Sequence, residues 1–153
     1  PLIPGGGQQN GLRGGTVNIL GVITTALALK DIQSSQNFIA SLLLRDKVEG
    51  LFEKYIADDG FVVLKDELRA VNTSLLCFKK QKGDFLQTKF DMFGIEVSYG
   101  SACSSGSIKG SQTMISLGYT DYANSIIRLS FGVADYHNEQ VILDGLEKVL
   151  KSL

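Results

Sequence analysis

IEVSYGSACSSGSIKGSQTMISLGYTDYANSIIRLSFG (95–132) is the stretch that decides the fold class. It opens on IEVSYG (95–100), which reads as a strand. It then passes through glycines and serines that no core could use. SQTMISLGY (111–119) follows as a short helix stopped by Gly118, a typical helix-ending glycine. SIIRLSFG (125–132) closes the stretch with strong β-formers. Strand, loop, helix and strand in succession point to an α/β domain.

The flanking sequence extends the pattern. FVVL (61–64) and SLLCF (74–78) read as strands. DFLQTKFDMF (84–93) reads as a short helix with Phe85, Phe90 and Phe93 as apolar anchors. EQVILDGLEKVLKSL (139–153) reads as an amphipathic helix with Val141, Ile142, Gly145, Leu146, Val149, Leu150 and Leu153 on one side. The order after residue 60 is therefore β-β-α-β-loop-α-β-α. Upstream, VNILGVITTALALKD (17–31) is apolar around much of its circumference, which predicts a helix buried on several sides. A second helical pattern runs from about Gln33 to Ala57, with Leu44, Val48, Leu51 and Tyr55 as its stripe. The two could join as one long or kinked helix. Asp58-Asp59-Gly60 ends the second with turn chemistry.

The bulk properties exclude several classes. The 153 residues carry a net charge of −1, so no global field recruits nucleic acid or anionic membrane. Lys79, Lys80 and Lys82 are the single basic run and read as the solvated end of a strand. No apolar run reaches the roughly 18 residues of a membrane span, and no secretory leader is visible. Two cysteines are too few for a disulfide scaffold. Cys77, in SLLCF, reads as a small core residue, and a reducing cytoplasm fits best. The chain opens PLIPGGGQQNGLRGGT, which looks like the middle of a domain and predicts a piece of a longer protein.

Three segments carry candidate chemistry. Cys103 sits among glycines, serines and one alanine, which reads as an exposed, mobile loop. A thiol there is either incidental or placed to reach a reaction partner. GGGQQNGLRGGT (5–16) ends in Thr16 at a helix start, where N–H groups and a hydroxyl suit an anion such as phosphate. A plain turn explains the same glycines, and the segment has neither a Walker lysine nor a dinucleotide-binding spacing. Arg128 lies on an apolar strand. Read alone, it is most simply one half of a structural salt bridge, although its planar fork also suits a bidentate carboxylate. His137, just before the last helix, reads as a surface or capping residue. No metal-ligand pattern is present.

Taken in order, GGGQQNGLRGGT with Asn18, RAVNTS (69–74), VSYGSACSSGS (97–107) and SIIRLSFG resemble the C-terminal portion of the cysteine desulfurases of the NifS and IscS type. These belong to the class V fold of pyridoxal-phosphate aminotransferases. The resemblance implies three parts: a remnant of the cofactor (large) domain at 1–32, a connecting helix at 33–58, and the small α/β domain of a fold-type I pyridoxal-phosphate enzyme at 59–153. It implies that the parent enzyme converts L-cysteine to L-alanine with a persulfide on Cys103. Arg128 would hold the substrate carboxylate, and Thr16 would reach the pyridoxal 5'-phosphate of the other subunit of a homodimer. Asn72 would shape the small domain. The acceptor would be an iron–sulfur scaffold protein. The Ser-x-His-Lys segment that attaches the cofactor in the family is absent, so this chain alone should be inactive. Gln9 stands where the family usually has an acid. Gly110 stands near a usual proline, which predicts a looser exit from the cysteine loop. Two other readings stay open: a non-catalytic module that docks a sulfur acceptor, and a selenocysteine lyase.

Overall fold

The computed structural model describes residues 1–34, 37–100, 110–132, 135 and 137–153. The chain divides into two compact units, Pro1–Ser35 and Gln36–Leu153.

In the first unit, Ile3 and Arg13 form a parallel bridge, and the Gly14 N–H donates to the Ile3 carbonyl at 2.8 Å. A tight turn at Gln8–Gly11 puts Gln9 and Asn10 in the left-handed region. Helix α1 (Ile19–Ser34) follows. Asn18 caps it, its Oδ1 accepting from the Gly21 N–H at 3.0 Å, a donor the first turn would otherwise leave unpaired. Burial on several sides was expected for this helix, yet Leu20 is 76% exposed, and Val22, Ile23, Leu27 and Leu29 are each half exposed or more. No second layer among the described residues of the first unit covers it. The join between the two predicted helices falls at residues 35–36, outside the described residues.

The second unit begins with α2 (Asn37–Ile56), then β1 (Gly60–Val62), β2 (Thr73–Phe78), α3 (Gly83–Met92), α4 (Gln112–Ser116), β3 (Ile126–Ser130) and α5 (Glu139–Lys151). The strands form one antiparallel sheet in the order β1-β2-β3. Phe61 pairs with Cys77, Leu75 with Arg128 and Thr73 with Ser130. Alternation along the strands gives the sheet two faces. One carries Val62, Leu76, Phe78, Ile127 and Leu129, which pack with Leu44, Val48, Phe52 and Ile56 of α2, Leu86 and Phe90 of α3, and Leu146, Val149 and Leu150 of α5. Phe78 meets Phe52 and Phe90 edge-on, at 5.1 Å and 6.3 Å between ring centres. The other face holds a smaller cluster of Cys77, Ile126, Met114, Ala123 and Val63.

Three sequence expectations change here. IEVSYG makes one antiparallel bridge, between Ser98 and Arg128, rather than a full strand. Ile95 and Val97 instead turn their side chains against the main core. In α3 the anchors are Leu86 and Phe90, four residues apart on one face, while Phe85 and Phe93 are exposed. In α5, Val141 is exposed, whereas its neighbour Ile142 packs against the main core. Cys77 is fully buried, as its apolar neighbours predict.

Candidate active site around Arg128

Arg128 sits in the middle of β3, half-buried, between the buried Ile127 and Leu129. Strand alternation sends those two into the main core and leaves Arg128 on the opposite face with Ile126 and Ser130. Its backbone is held from both sides. β2 lies on one, with Leu75 opposite. On the other, the Ser98 N–H donates to the Arg128 carbonyl at 3.1 Å and the Arg128 N–H donates to the Ser98 carbonyl at 2.7 Å. Beyond, the Thr73 and Ser130 hydroxyls lie 3.3 Å apart.

The salt bridge that Arg128 suggests when read alone is not formed: among the described residues no acid pairs with its guanidinium. The buried acid of this unit, Glu49, is taken by other groups. Arg69 donates to both its oxygens, at 2.5 Å and 2.7 Å, and Ser74 donates to Oε1 at 2.6 Å. Arg45 lies 3.9 Å away. Burial works against ionisation of Glu49, but the hydrogen bonds from Arg69 and Ser74 and the charges of Arg69 and Arg45 together hold its carboxyl below the usual value. The strand cation and the buried acid therefore serve different purposes. Sequence reading missed Glu49, although its place next to Val48 and one turn before Phe52 on a core-facing helix was a usable signal.

The other predicted residues fall as follows. Cys103 lies outside the described residues. The segment that carries it leaves the described chain at Gly100, two residues after the Ser98–Arg128 bridge, and returns at Gly110. Gly110 is not a loose exit: a Cβ there would lie 2.6 Å from the Ala123 Cβ, so the chain is tightly seated at that point. Thr16 belongs to the first unit, where it is exposed and its carbonyl accepts from Arg13 at 2.9 Å. Asn72 ties the end of the sheet: its carbonyl accepts from the Phe131 N–H at 2.8 Å and its Nδ2 donates to the Phe131 carbonyl at 3.3 Å. His137 is exposed. Lys80 pairs with Asp59 at 2.7 Å and Lys79 donates to the Asp58 carbonyl, so the basic run caps the end of β2. Burial pushes the Cys77 thiol up to about 11, with Lys79 offsetting only part of that. It is a protonated core group at neutral pH.

Among the described residues no cluster of three metal-ligating side chains occurs, and no helix is long and apolar enough to cross a membrane. No protein-family model matches the chain. The cysteine desulfurase IscS of Dictyoglomus turgidum is 31% identical over all of this chain and 40% of its own length. A cysteine desulfurase of Gluconacetobacter diazotrophicus is 35% identical over 86% of this chain and 33% of its own length. The crystal structure of a NifS-like protein from Rickettsia africae superposes with a TM-score of 0.71 at 25% identity, covering 99% of this chain and 40% of that one. Sequence and fold both match a portion of the NifS/IscS-type cysteine desulfurases. The chain spans about two-fifths of the desulfurase from Dictyoglomus turgidum, and the small antiparallel sheet with its helices is the part of the NifS-like fold that surrounds Arg128. For the pyridoxal phosphate that such a fold implies, the sequence candidate is Thr16, which follows Gly14 and Gly15 and is exposed, and the sequence has no Ser-x-His-Lys segment.

Proposed function

We propose that this chain is the C-terminal portion of a pyridoxal-phosphate-dependent cysteine desulfurase, in which Arg128 binds the substrate carboxylate and Cys103 receives the sulfur. The observation that carries the reading is Arg128 itself. A half-buried guanidinium on an apolar strand, with no acid among the described residues to pair it, is costly unless a carboxylate arrives with the substrate. Its fork matches a carboxylate in two parallel hydrogen bonds and so fixes the orientation of the amino acid. The bridge from Arg128 to Ser98 ties this clamp to the segment that leads to Cys103.

In the transfer, the Cys103 thiolate forms an S–S bond with the substrate sulfur as the substrate carbon–sulfur bond breaks. The electron pair stays with the carbon skeleton, which leaves as alanine after protonation, and a persulfide remains on Cys103. Bound pyridoxal phosphate supplies the electron sink that makes this carbon–sulfur bond labile. The thiolate is the reactive form and is a minor species for an unperturbed cysteine at neutral pH. The parent protein acts in the cytoplasm as a homodimer, with Thr16 reaching the cofactor phosphate of the other subunit and an iron–sulfur scaffold protein as acceptor.

The test combines this chain with the portion of a desulfurase that it does not cover, pyridoxal phosphate and L-cysteine. Alanine release, with a mass gain of about 32 Da at Cys103 that is lost in Cys103→Ser, is the expected result. Cofactor binding with neither product would overturn the reading in favour of a non-catalytic docking module.

A further inference from the structure

One corner of the second unit brings two unusually close approaches together. Gly83, the first residue of α3, has no room for a side chain: a Cβ there would lie 2.9 Å from the Tyr99 Cβ and 3.0 Å from the Ile126 carbonyl oxygen. The Gly83 N–H donates to the Asn124 carbonyl at 2.7 Å. Gly110 is crowded in the same way, by the Ala123 Cβ at 2.6 Å and by Asn124 Oδ1 at 3.0 Å. Its neighbour Ser111 donates its N–H to the Ala123 carbonyl at 2.8 Å, and the buried Ser111 Oγ caps α4 by accepting from the Met114 N–H. Ala123 and Asn124 thus hold Gly110 and Ser111 directly, and hold Tyr99 by way of Gly83. Tyr99 in turn follows Ser98, the partner of Arg128.

We propose that Gly83 is a positioning residue for the Arg128 site. The bare Cα of Gly83 seats Tyr99 so that Ser98 stays paired with Arg128. The bare Cα of Gly110 seats the returning chain on Ala123. The nearest crowding atoms, the Tyr99 Cβ and the Ala123 Cβ, are fixed to the backbone, so a methyl group at either glycine has to displace backbone. The displacement at position 83 falls on the Ser98–Arg128 bridge, because that bridge is a single pair whereas β2 and β3 share five. The proposal rests on the reading of Arg128 as the carboxylate clamp.

Hydrogen exchange on the full chain tests it independently of any activity. Gly83→Ala is expected to speed exchange of the Ser98 and Arg128 amides about tenfold or more, while the Leu76 and Phe78 amides keep their protection. Tyr99→Ala keeps the glycine but removes the ring, and is expected to produce the same local loss should Gly83→Ala fail to fold. Unchanged Ser98 and Arg128 exchange in both single variants overturns the proposal. In the reconstituted system, Gly83→Ala is expected to raise KM for cysteine with kcat held. A uniform loss of both parameters in Gly83→Ala also overturns it. If the wild type makes no persulfide, the desulfurase reading fails and the exchange result alone decides the role of Gly83.

Discussion

Arg128→Lys keeps the charge at the clamp and removes the planar fork. In the reconstituted enzyme we expect kcat/KM for cysteine to fall about a hundredfold, the scale of loss for a substrate misplaced by an ångström, with folding unaffected. Steady-state kinetics beside a thermal melt check this. Glu49 presents the opposite case, a charge whose partners are all internal. Glu49→Ala leaves Arg69 half-buried without its acid, and is expected to cost about 3–5 kcal/mol, read as a fall in the urea midpoint. The same pair gives an acid dependence. The folded carboxyl titrates below its unfolded value, so its contribution is complete above the ordinary glutamate range near 4.3 and is lost as pH falls through the lower folded value. Wild type should therefore lose more stability between pH 6 and about pH 3 than Glu49→Gln does. Cys77 shows why a cysteine has to be read with its neighbours: its apolar run marks it as core, and burial keeps it protonated. Arg128 was legible as a cation needing a carboxylate, but whether that carboxylate comes from the chain or from a ligand depended on where the acids fold.

At the scale of elements, periodicity located most helices and strands within a few residues because each buries one face. It misjudged which apolar residues do the burying. Phe85 and Phe93 are as hydrophobic as Phe90, but only Phe90 lies on the side of α3 that turns to the sheet. The third predicted strand shrank to one bridge because Ile95 and Val97 pack sideways on the core instead of pairing along an edge. Close approaches were not legible at all. Gly60 opens β1 with the Cys77 carbonyl oxygen 2.5 Å and Phe52 Cζ 2.6 Å from where its Cβ would stand. Gly60→Ala should destabilise the second unit by about 1–3 kcal/mol, visible as a lower melting temperature. Nothing in Asp58-Asp59-Gly60 beyond its turn chemistry announces that contact.

At the scale of the molecule, the second unit carries its own core on both faces of its sheet, so residues 36–153 are expected to unfold in a single cooperative transition without the first unit. Helix α1 is the contrast, with an apolar surface and little covering it. We expect the chain to self-associate through this helix in the absence of a covering partner, with Leu20→Lys and Leu27→Lys restoring the monomer in sedimentation velocity. A monomeric wild type with exchange-exposed residues 17–31 would contradict that. The sequence alone determined the α/β class and most of the element order, and it marked Arg128 as a cation in need of a carboxylate, because these follow from local periodicity and from the cost of a charge on an apolar strand. Only the tertiary structure decided that Glu49 belongs to Arg69 and leaves Arg128 without an acid among the described residues, and that Gly83 packs against Tyr99 in the segment beside it. Both are contacts between residues far apart in the chain, and no local pattern encodes the distance at which two such segments will meet.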